Sequence, residues 1–137
     1  SNFGLVLKVN IETGKVIWSN TGNSNIPLMV TKNSIILANK NGVVNIFDKI
    51  SGKLLFRKNL FDILKSNKIK LKNIEVNNLF LVSNTIHIST NRGFFFEINA
   101  TNLKSITYLK TSKIIQSNLV FSDGFIYFIS KNKIYKI

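Results

Sequence analysis

The side chains that could do chemistry in this sequence are few and dispersed. One histidine and six acidic residues are spread over 137 residues: Glu12, Asp48, Asp62, Glu75, His87, Glu97 and Asp123. Calcium needs several oxygen ligands converging on one point and zinc needs three or four ligands, and this spacing indicates neither. The absence of cysteine excludes a disulfide or a thiolate metal site. We therefore predict no catalytic residue, no metal site and no bound cofactor.

The stretch 39–56 looks most like a site, because it holds Gly42, Asp48, Gly52 and a lysine close together. Related stretches occur at 4–18 and 93–108. Asn, Asp and Gly are the residues that hairpin turns require, since they adopt positive φ or bond their own backbone. We therefore interpret Asp48, and likewise Asp123, as a turn former rather than an acid catalyst.

The repeat extends beyond these turns. Residues 33–42 align without gaps with 84–93 and with 123–132, and each copy has short apolar strands separated by Asn, Asp or Gly. Ile, Val, Phe and Tyr dominate the apolar residues, which favours strands. Four short antiparallel strands recurring at about 40 residues describe the blades of a β-propeller. The predicted fold is all-β, a partial propeller with two full blades and a partial blade at each end.

The repeat divides one partial propeller, residues 1–137, into five segments. They are the last two strands of a blade at 1–20, a full blade at 26–58, an inserted basic loop at 59–73, a full blade at 74–110, and three strands of a closing blade at 114–137. Both ends fall inside a blade, and open strand edges are a liability. We expect the C-terminal part of a longer chain, whose N-terminal strand would complete the last blade. Edge-to-edge assembly of copies is the alternative.

The inserted loop carries the densest group of lysines. Residues 60–64 could form one helical turn, and Lys65, Lys68, Lys70 and Lys72 follow. The last three alternate with apolar residues, which suggests an extended stretch with one basic face. This face is a possible partner-binding loop for an anionic surface, and a solvated loop is the simpler interpretation.

The net charge of +13 comes almost entirely from lysine, with Arg57 and Arg92 the only arginines. Nucleic-acid readers favour arginine forks and clustered basic faces, whereas these lysines are scattered over turns. We expect no nucleic-acid partner, and the bias towards Lys, Asn, Ile and Phe matches an AT-rich genome. Apolar runs are too short to span a bilayer, so membrane association would require a lipid anchor outside this chain.

Three further features are predicted to be structural. The gapless alignment places His87 on a second strand, at the position of Ile36 and Ile126. A single histidine without a second ligand nearby in sequence is more often structural than catalytic. Trp18 is expected to pack between blades, and the run 94–96 of three phenylalanines is expected in the core, since propeller sheets are covered on both faces.

Residues 10–18, with Gly14 and Trp18, resemble the signature of the pyrroloquinoline-quinone-like propeller repeat, in which a third strand ends in D-x-x-T-G-K-x-x-W. The copy at 48–56 keeps Asp48 and Gly52 and replaces the tryptophan by Phe56. The copy at 99–108 loses the glycine and shifts the aromatic residue by one position. In the two later copies, Gly42 and Gly93 precede the strand that leads into the signature.

Within that superfamily the likeness is strongest to the outer-membrane assembly lipoproteins of the β-barrel assembly machinery, on the tail segments 122–128 and 133–137. The resemblance implies a non-enzymatic scaffold at the periplasmic face of the outer membrane. Its implied partners are other subunits of the assembly complex, unfolded outer-membrane proteins and the remaining blades of the parent chain.

Two alternatives stay open at this point. Quinone-dependent dehydrogenases share the repeat. The resemblance to them would imply a different pattern of site residues, with a clustered acidic Ca²⁺ site and often a vicinal disulfide. A basic propeller that binds an anionic partner is the other alternative.

Overall fold

The computed structural model describes residues 4–137, which form short strands and one short helix. The elements are β1 (Leu5–Val9), β2 (Val16–Thr21), β3 (Met29–Val30), β4 (Ser34–Ala38), β5 (Val43–Asp48), β6 (Leu54–Asn59), α1 (Phe61–Ser66), β7 (Val76–Val82), β8 (Thr85–Thr90), β9 (Phe94–Asn99), β10 (Ile106–Lys110), β11 (Val120–Ser122), β12 (Phe125–Ser130) and β13 (Lys133–Lys136). They belong to two compact units, the first ending at Lys70 and the second beginning at Leu71.

The first unit contains the β1–β2 hairpin and a four-stranded sheet in the order β3-β4-β5-β6. The second contains a four-stranded sheet, β7 to β10, and a three-stranded sheet in the order β11-β12-β13. Within each sheet, every strand pairs antiparallel with the strand next to it in sequence. This is the predicted arrangement of full and partial propeller blades, and the all-β fold class is confirmed.

The turn between β5 and β6 shows why the chain reverses its direction here. The side-chain Oδ1 of Asp48 accepts hydrogen bonds from the backbone N–H groups of Ile50, at 3.1 Å, and Ser51, at 2.7 Å. The N–H of Gly52 donates to the carbonyl of Asp48 at 2.9 Å, with Gly52 at φ +73°. Asp48 is thus fully engaged as a turn former, as its place in the repeat predicts.

The same turn recurs with asparagine in place of aspartate. Asn10 Oδ1 accepts from the backbone N–H groups of residues 12 and 13, both at 2.9 Å. Asn99 Oδ1 accepts from those of residues 101 and 102 at 2.8 and 2.9 Å. The turn therefore needs a short side-chain oxygen acceptor and not a negative charge.

Gly42 and Gly93 occupy equivalent turns, before β5 and β9. Both have left-handed backbone, with φ of +85° and +80°. Each donates its N–H to the carbonyl three residues earlier, at 3.0 Å, which closes the turn. A glycine is favoured at both positions because other residues are strained there.

The last copy of the repeat differs by one residue from the gapless alignment. Ser122 pairs with Phe125 across the turn at 123–124, just as Val82 pairs with Thr85 across the turn at 83–84. Thr85 therefore corresponds to Phe125, one position further along than the alignment placed it. A one-residue shift moves every side chain to the other face of a strand.

His87 consequently corresponds to Tyr127, and its predicted match to Ile126 was wrong. Burial supports the corrected register. Phe128 and Ser130 are buried three and five residues after the first position of their strand, as Ile88 and Thr90 are in theirs. The match of His87 to Ile36 stands, since both pair with equivalent positions of the third strand.

The segment after β6 is partly as expected. The helical turn is present as α1, which buries Phe61 and Leu64. The following stretch is not extended as predicted, because Lys68 and Asn73 adopt left-handed φ of +59° and +54°. These two residues turn the chain, and the alternation of basic and apolar residues does not make a strand.

Candidate interaction surfaces

Trp18 joins the β1–β2 hairpin to the sheet β3–β6. Its side chain packs against a cluster of Val6, Leu37 and Phe47 and is itself partly buried. Its Nε1–H donates to the backbone carbonyl of Lys49 at 3.3 Å. The single tryptophan thus packs between the hairpin and the adjoining sheet, as we predicted from the repeat, and it satisfies its polar N–H there.

Gly52 provides the surface on which the indole lies. A methyl group added at Gly52 would be 2.5 Å from Cδ2 of Trp18, closer than any real side-chain contact. Asn20, on β2, strengthens the same contact by donating its Nδ2 to the Gly52 carbonyl at 3.0 Å. The Gly of one copy of the repeat and the Trp of the preceding copy therefore form one packing unit.

The two sheets of the second unit meet through aromatic residues. Phe95, Ile115 and Phe128 form the buried cluster. The partly buried Leu119, Ile126 and Tyr135 pack against it. The rings of Phe95 and Phe128 have centroids 6.3 Å apart, within the range of favourable aromatic pairs. Phe94, Phe95 and Phe96 are all buried, as predicted for a sheet covered on both faces.

Phe56, the counterpart of Trp18 in the second copy, pairs with Ile46 across the β5–β6 ladder and is partly buried. Its role between blades stays a prediction.

His87 lines a cavity of about 490 Å³ between the sheets of the second unit. Its ring stacks on Phe80, with centroids 5.0 Å apart and planes within 8°. Its Nδ1 lies 3.6 Å from Oε1 of Glu97 on β9. Glu97, Asp123 and apolar residues of β10, β11 and β12 complete the wall.

Burial lowers the pKa of His87, and the charge of Glu97 opposes this effect. The imidazole is therefore neutral at neutral pH and acts as a stacked, largely buried ring. The structural role of His87 stays a prediction. The sequence did not indicate Glu97 as its partner, although the repeat would have shown that position 97 lies opposite position 87.

No metal-binding arrangement exists within residues 4–137: nowhere do three His, Asp or Glu side chains come together. In the same part of the chain, no helix is long and apolar enough to cross a membrane.

The lysines of the inserted loop, Lys65, Lys68, Lys70 and Lys72, are all exposed. Lys65 makes an ion pair with Asp62 at 3.0 Å, in which both side chains remain more than half exposed. The other three project from turns and coil, so their binding role stays a prediction.

The three-stranded sheet ends in an unpaired edge. β13 pairs with β12 alone among the described strands. Ile134, in this edge strand, is 76% exposed. Such an edge offers a row of free N–H and C=O groups to another strand.

No protein-family model and no curated protein matches the chain. Among solved structures, BamB from Moraxella catarrhalis is similar, with a TM-score of 0.70 and 16% identity over 97% of this chain and 37% of that one. The extracellular domain of BT4673 from B. thetaiotaomicron gives a TM-score of 0.60 at 16% identity, over 80% of this chain and 14% of that one. A europium-containing methanol dehydrogenase gives 0.52 at 13% identity, over 76% and 21%.

The chain thus spans little more than a third of the length of the BamB chain. At these identities the likeness concerns the fold. The chain is built of β-propeller blades, the fold that the repeat predicted, and it shares this fold with BamB over 97% of its length.

Proposed function

We propose that this chain is part of a periplasmic propeller that acts as a protein-interaction scaffold in the assembly and insertion of outer-membrane β-barrel proteins. The observation that carries the proposal is the structural likeness to BamB over 97% of the chain. Its partners would be other subunits of the assembly complex, unfolded outer-membrane proteins and the remaining blades of the parent protein. The proposal involves no catalytic step and no cofactor.

The edge of β13 is the surface that we propose for an unfolded β-barrel protein, whose segment would take the place of the N-terminal strand that the repeat predicts there. Ile126 and Ile137 exchange both backbone hydrogen bonds, at 2.8 and 3.0 Å. Because bonded and non-bonded pairs alternate along an antiparallel ladder, the N–H groups of Ile134 and Lys136 point away from β12. An extended segment can therefore add to this edge as a fourth strand.

The test is binding of a labelled, unfolded outer-membrane β-barrel segment, measured by fluorescence anisotropy. Ile134→Pro removes one outward N–H without touching the β12 ladder, and we expect it to weaken binding about tenfold, the effect of roughly 1.4 kcal/mol. Ile134→Thr keeps the N–H and the strand preference and serves as the matched control. Equal affinities for both variants would contradict docking at this edge.

The place in the cell is tested separately, by site-specific crosslinking from position 134 in the intact protein, followed by separation of cytosol and envelope. We expect crosslinks to subunits of the outer-membrane assembly complex in the envelope fraction. Crosslinks confined to cytosolic proteins would contradict the proposed location.

The inserted basic loop is tested with a variant in which Lys65, Lys68, Lys70 and Lys72 are all replaced by glutamine. If the loop docks on an anionic surface, the affinity of the protein for the assembly complex should be lower in this variant. The affinity of the wild type should then fall as the salt concentration increases. An unchanged affinity that does not depend on salt would identify a solvated loop.

A further inference from the structure

A second, polar cavity lies in the first unit, at the end of the sheet β3–β6. Its volume is about 220 Å³. Asn45 on β5 and Arg57 on β6 are directly opposite each other in the ladder, and both side chains line the cavity. Thr21, Asn39 and the backbone of Gly4 and Gly22 form part of the wall.

Asn45 is 5% exposed, and its side chain has no hydrogen-bond partner within residues 4–137. Every fully sealed side-chain N or O atom in that part of the chain has a partner. The Asn45 amide must therefore border the cavity. A buried amide without a partner costs free energy, so an amide held here is available to a ligand.

The repeat makes this polar pair unusual. Counting from Gly42 and Gly93, Asn45 corresponds to Phe96, and the cross-strand partner of Phe96 is Tyr108. Phe96 is fully buried and its ring lies 5.8 Å from that of Tyr108. An aromatic pair thus fits this position in the sheet β7–β10. The sheet β3–β6 has the amide of Asn45 and the guanidinium of Arg57 there instead.

The charges indicate the ligand. Arg57 is exposed and makes no ion pair with the described residues, and no acidic residue lines the cavity. A guanidinium fork matches the oxygens of a carboxylate or phosphate, and an amide N–H₂ adds a donor. The cavity is smaller than the roughly 300–1,000 Å³ of drug-sized pockets, so it suits a headgroup rather than a whole cofactor.

We propose that Asn45 and Arg57 form a binding subsite for a small oxyanion, either a carboxylate or a phosphate group. This site is independent of the proposed scaffold function, since it uses neither the β13 edge nor the basic loop.

The test is a titration of the intact chain with inorganic phosphate and, separately, acetate at constant ionic strength. Binding is followed by NMR through the side-chain N–H signals of Asn45 and Arg57. We expect saturable shifts with one of the two anions, which also identifies the oxyanion class. Arg57→Gln should weaken that binding about tenfold or more, as expected for loss of a charge-assisted contact.

Lys58→Gln is the matched control, because it removes the same charge from the neighbouring residue of β6, which does not line the cavity. It should change the affinity less than about twofold. An equal loss of anion affinity in the two variants would reveal only general attraction to a basic protein and would overturn the proposal. The absence of saturable shifts with both anions would also overturn it. Asn45→Leu, which keeps the size of the side chain, should also weaken binding while Arg57 remains.

Discussion

The two four-stranded sheets pair their strands in the same register. At two equivalent pairs of positions, one sheet is polar where the other is apolar. In the sheet β3–β6, Ile36 lies opposite Ile46, and the counterparts in β7–β10 are His87 and Glu97. At the second pair the pattern is reversed, with Asn45 and Arg57 in the first sheet and Phe96 and Tyr108 in the second. In each sheet the polar pair borders a cavity. The blade backbone therefore accepts either kind of pair, and the side chains decide where a blade is polar.

The largest effect is expected where the aromatic pair fills the core. Phe96→Ala should lower the free energy of unfolding by about 3–5 kcal/mol, because it removes a fully buried ring. Its counterpart Asn45→Ala should cost less than about 1 kcal/mol, since Asn45 forms no hydrogen bond to lose. Urea unfolding followed by far-UV circular dichroism measures both. Similar losses would show that the two positions are equally important for packing and would break the comparison.

A smaller effect separates two glycines of the first unit. Gly52→Ala should cost about 2–3 kcal/mol, because the new methyl group meets the Trp18 ring in addition to the strain of positive φ. Gly14 has a similar φ of +68° with nothing within 4 Å, so Gly14→Ala should cost only about 1 kcal/mol. The same unfolding measurement applies. Equal costs would mean that the packing of Trp18 on Gly52 contributes little.

The pair of His87 and Glu97 in the second sheet is tested by replacing both residues with isoleucine, the residue at the two equivalent positions of the first sheet. The double variant is His87→Ile with Glu97→Ile. We expect the double variant to match the wild type within about 1–2 kcal/mol at neutral pH, since apolar pairs often replace buried polar pairs without loss. The difference should lie in the pH dependence. His87 is the only histidine, and burial lowers its pKa below the ordinary 6.5.

Because the pKa of His87 is lower in the folded state, the unfolded state binds the proton more readily. Wild-type stability should therefore fall as the pH drops below 6.5 towards the folded pKa, and the double variant should lack this loss. Glu97 on β9 opposes the shift, and Asp123 lines the same cavity. Glu97→Gln serves as the control, because it should extend the pH dependence to lower pH. A double variant that keeps the wild-type slope would contradict this account.

The smallest effect is expected outside both sheets, at Lys65. Lys65→Gln breaks the ion pair with Asp62, but both side chains are well exposed, so the unfolding free energy should change by less than about 0.5 kcal/mol. Asp62→Asn should give the same small value. A loss above about 1 kcal/mol in either variant would show that α1 depends on this pair.

The sequence was sufficient for the blades because turn chemistry is local. Asp48 and Gly52 bond within their own turn, so their spacing predicted the strand reversals, whereas the packing of Trp18 was predicted from the repeat. It was insufficient for register at the end of the chain, where the turn at 123–124 moves the copy by one residue and changes the counterpart of His87. Lys68 and Asn73 also adopt left-handed backbone that an alternating pattern does not indicate.

The cavities depend on contacts that sequence reasoning could not supply. Asn45 and Arg57 meet only because β5 and β6 pair in one register, and a repeat comparison restricted to turns and aromatic residues passes over them. Placing Asn45 against Phe96 would have shown a polar residue at a core position, which is the available signal for such a site.

Trp18 has a practical consequence, because it is the only tryptophan in the chain. Its indole is partly buried, hydrogen-bonded to Lys49 and seated on Gly52, so its emission wavelength reports on one event, the separation of the β1–β2 hairpin from its sheet. A red shift that precedes the loss of circular dichroism during unfolding would reveal hairpin release as a distinct step. The molecule thus carries its own optical probe for the release of this hairpin relative to the loss of its strands.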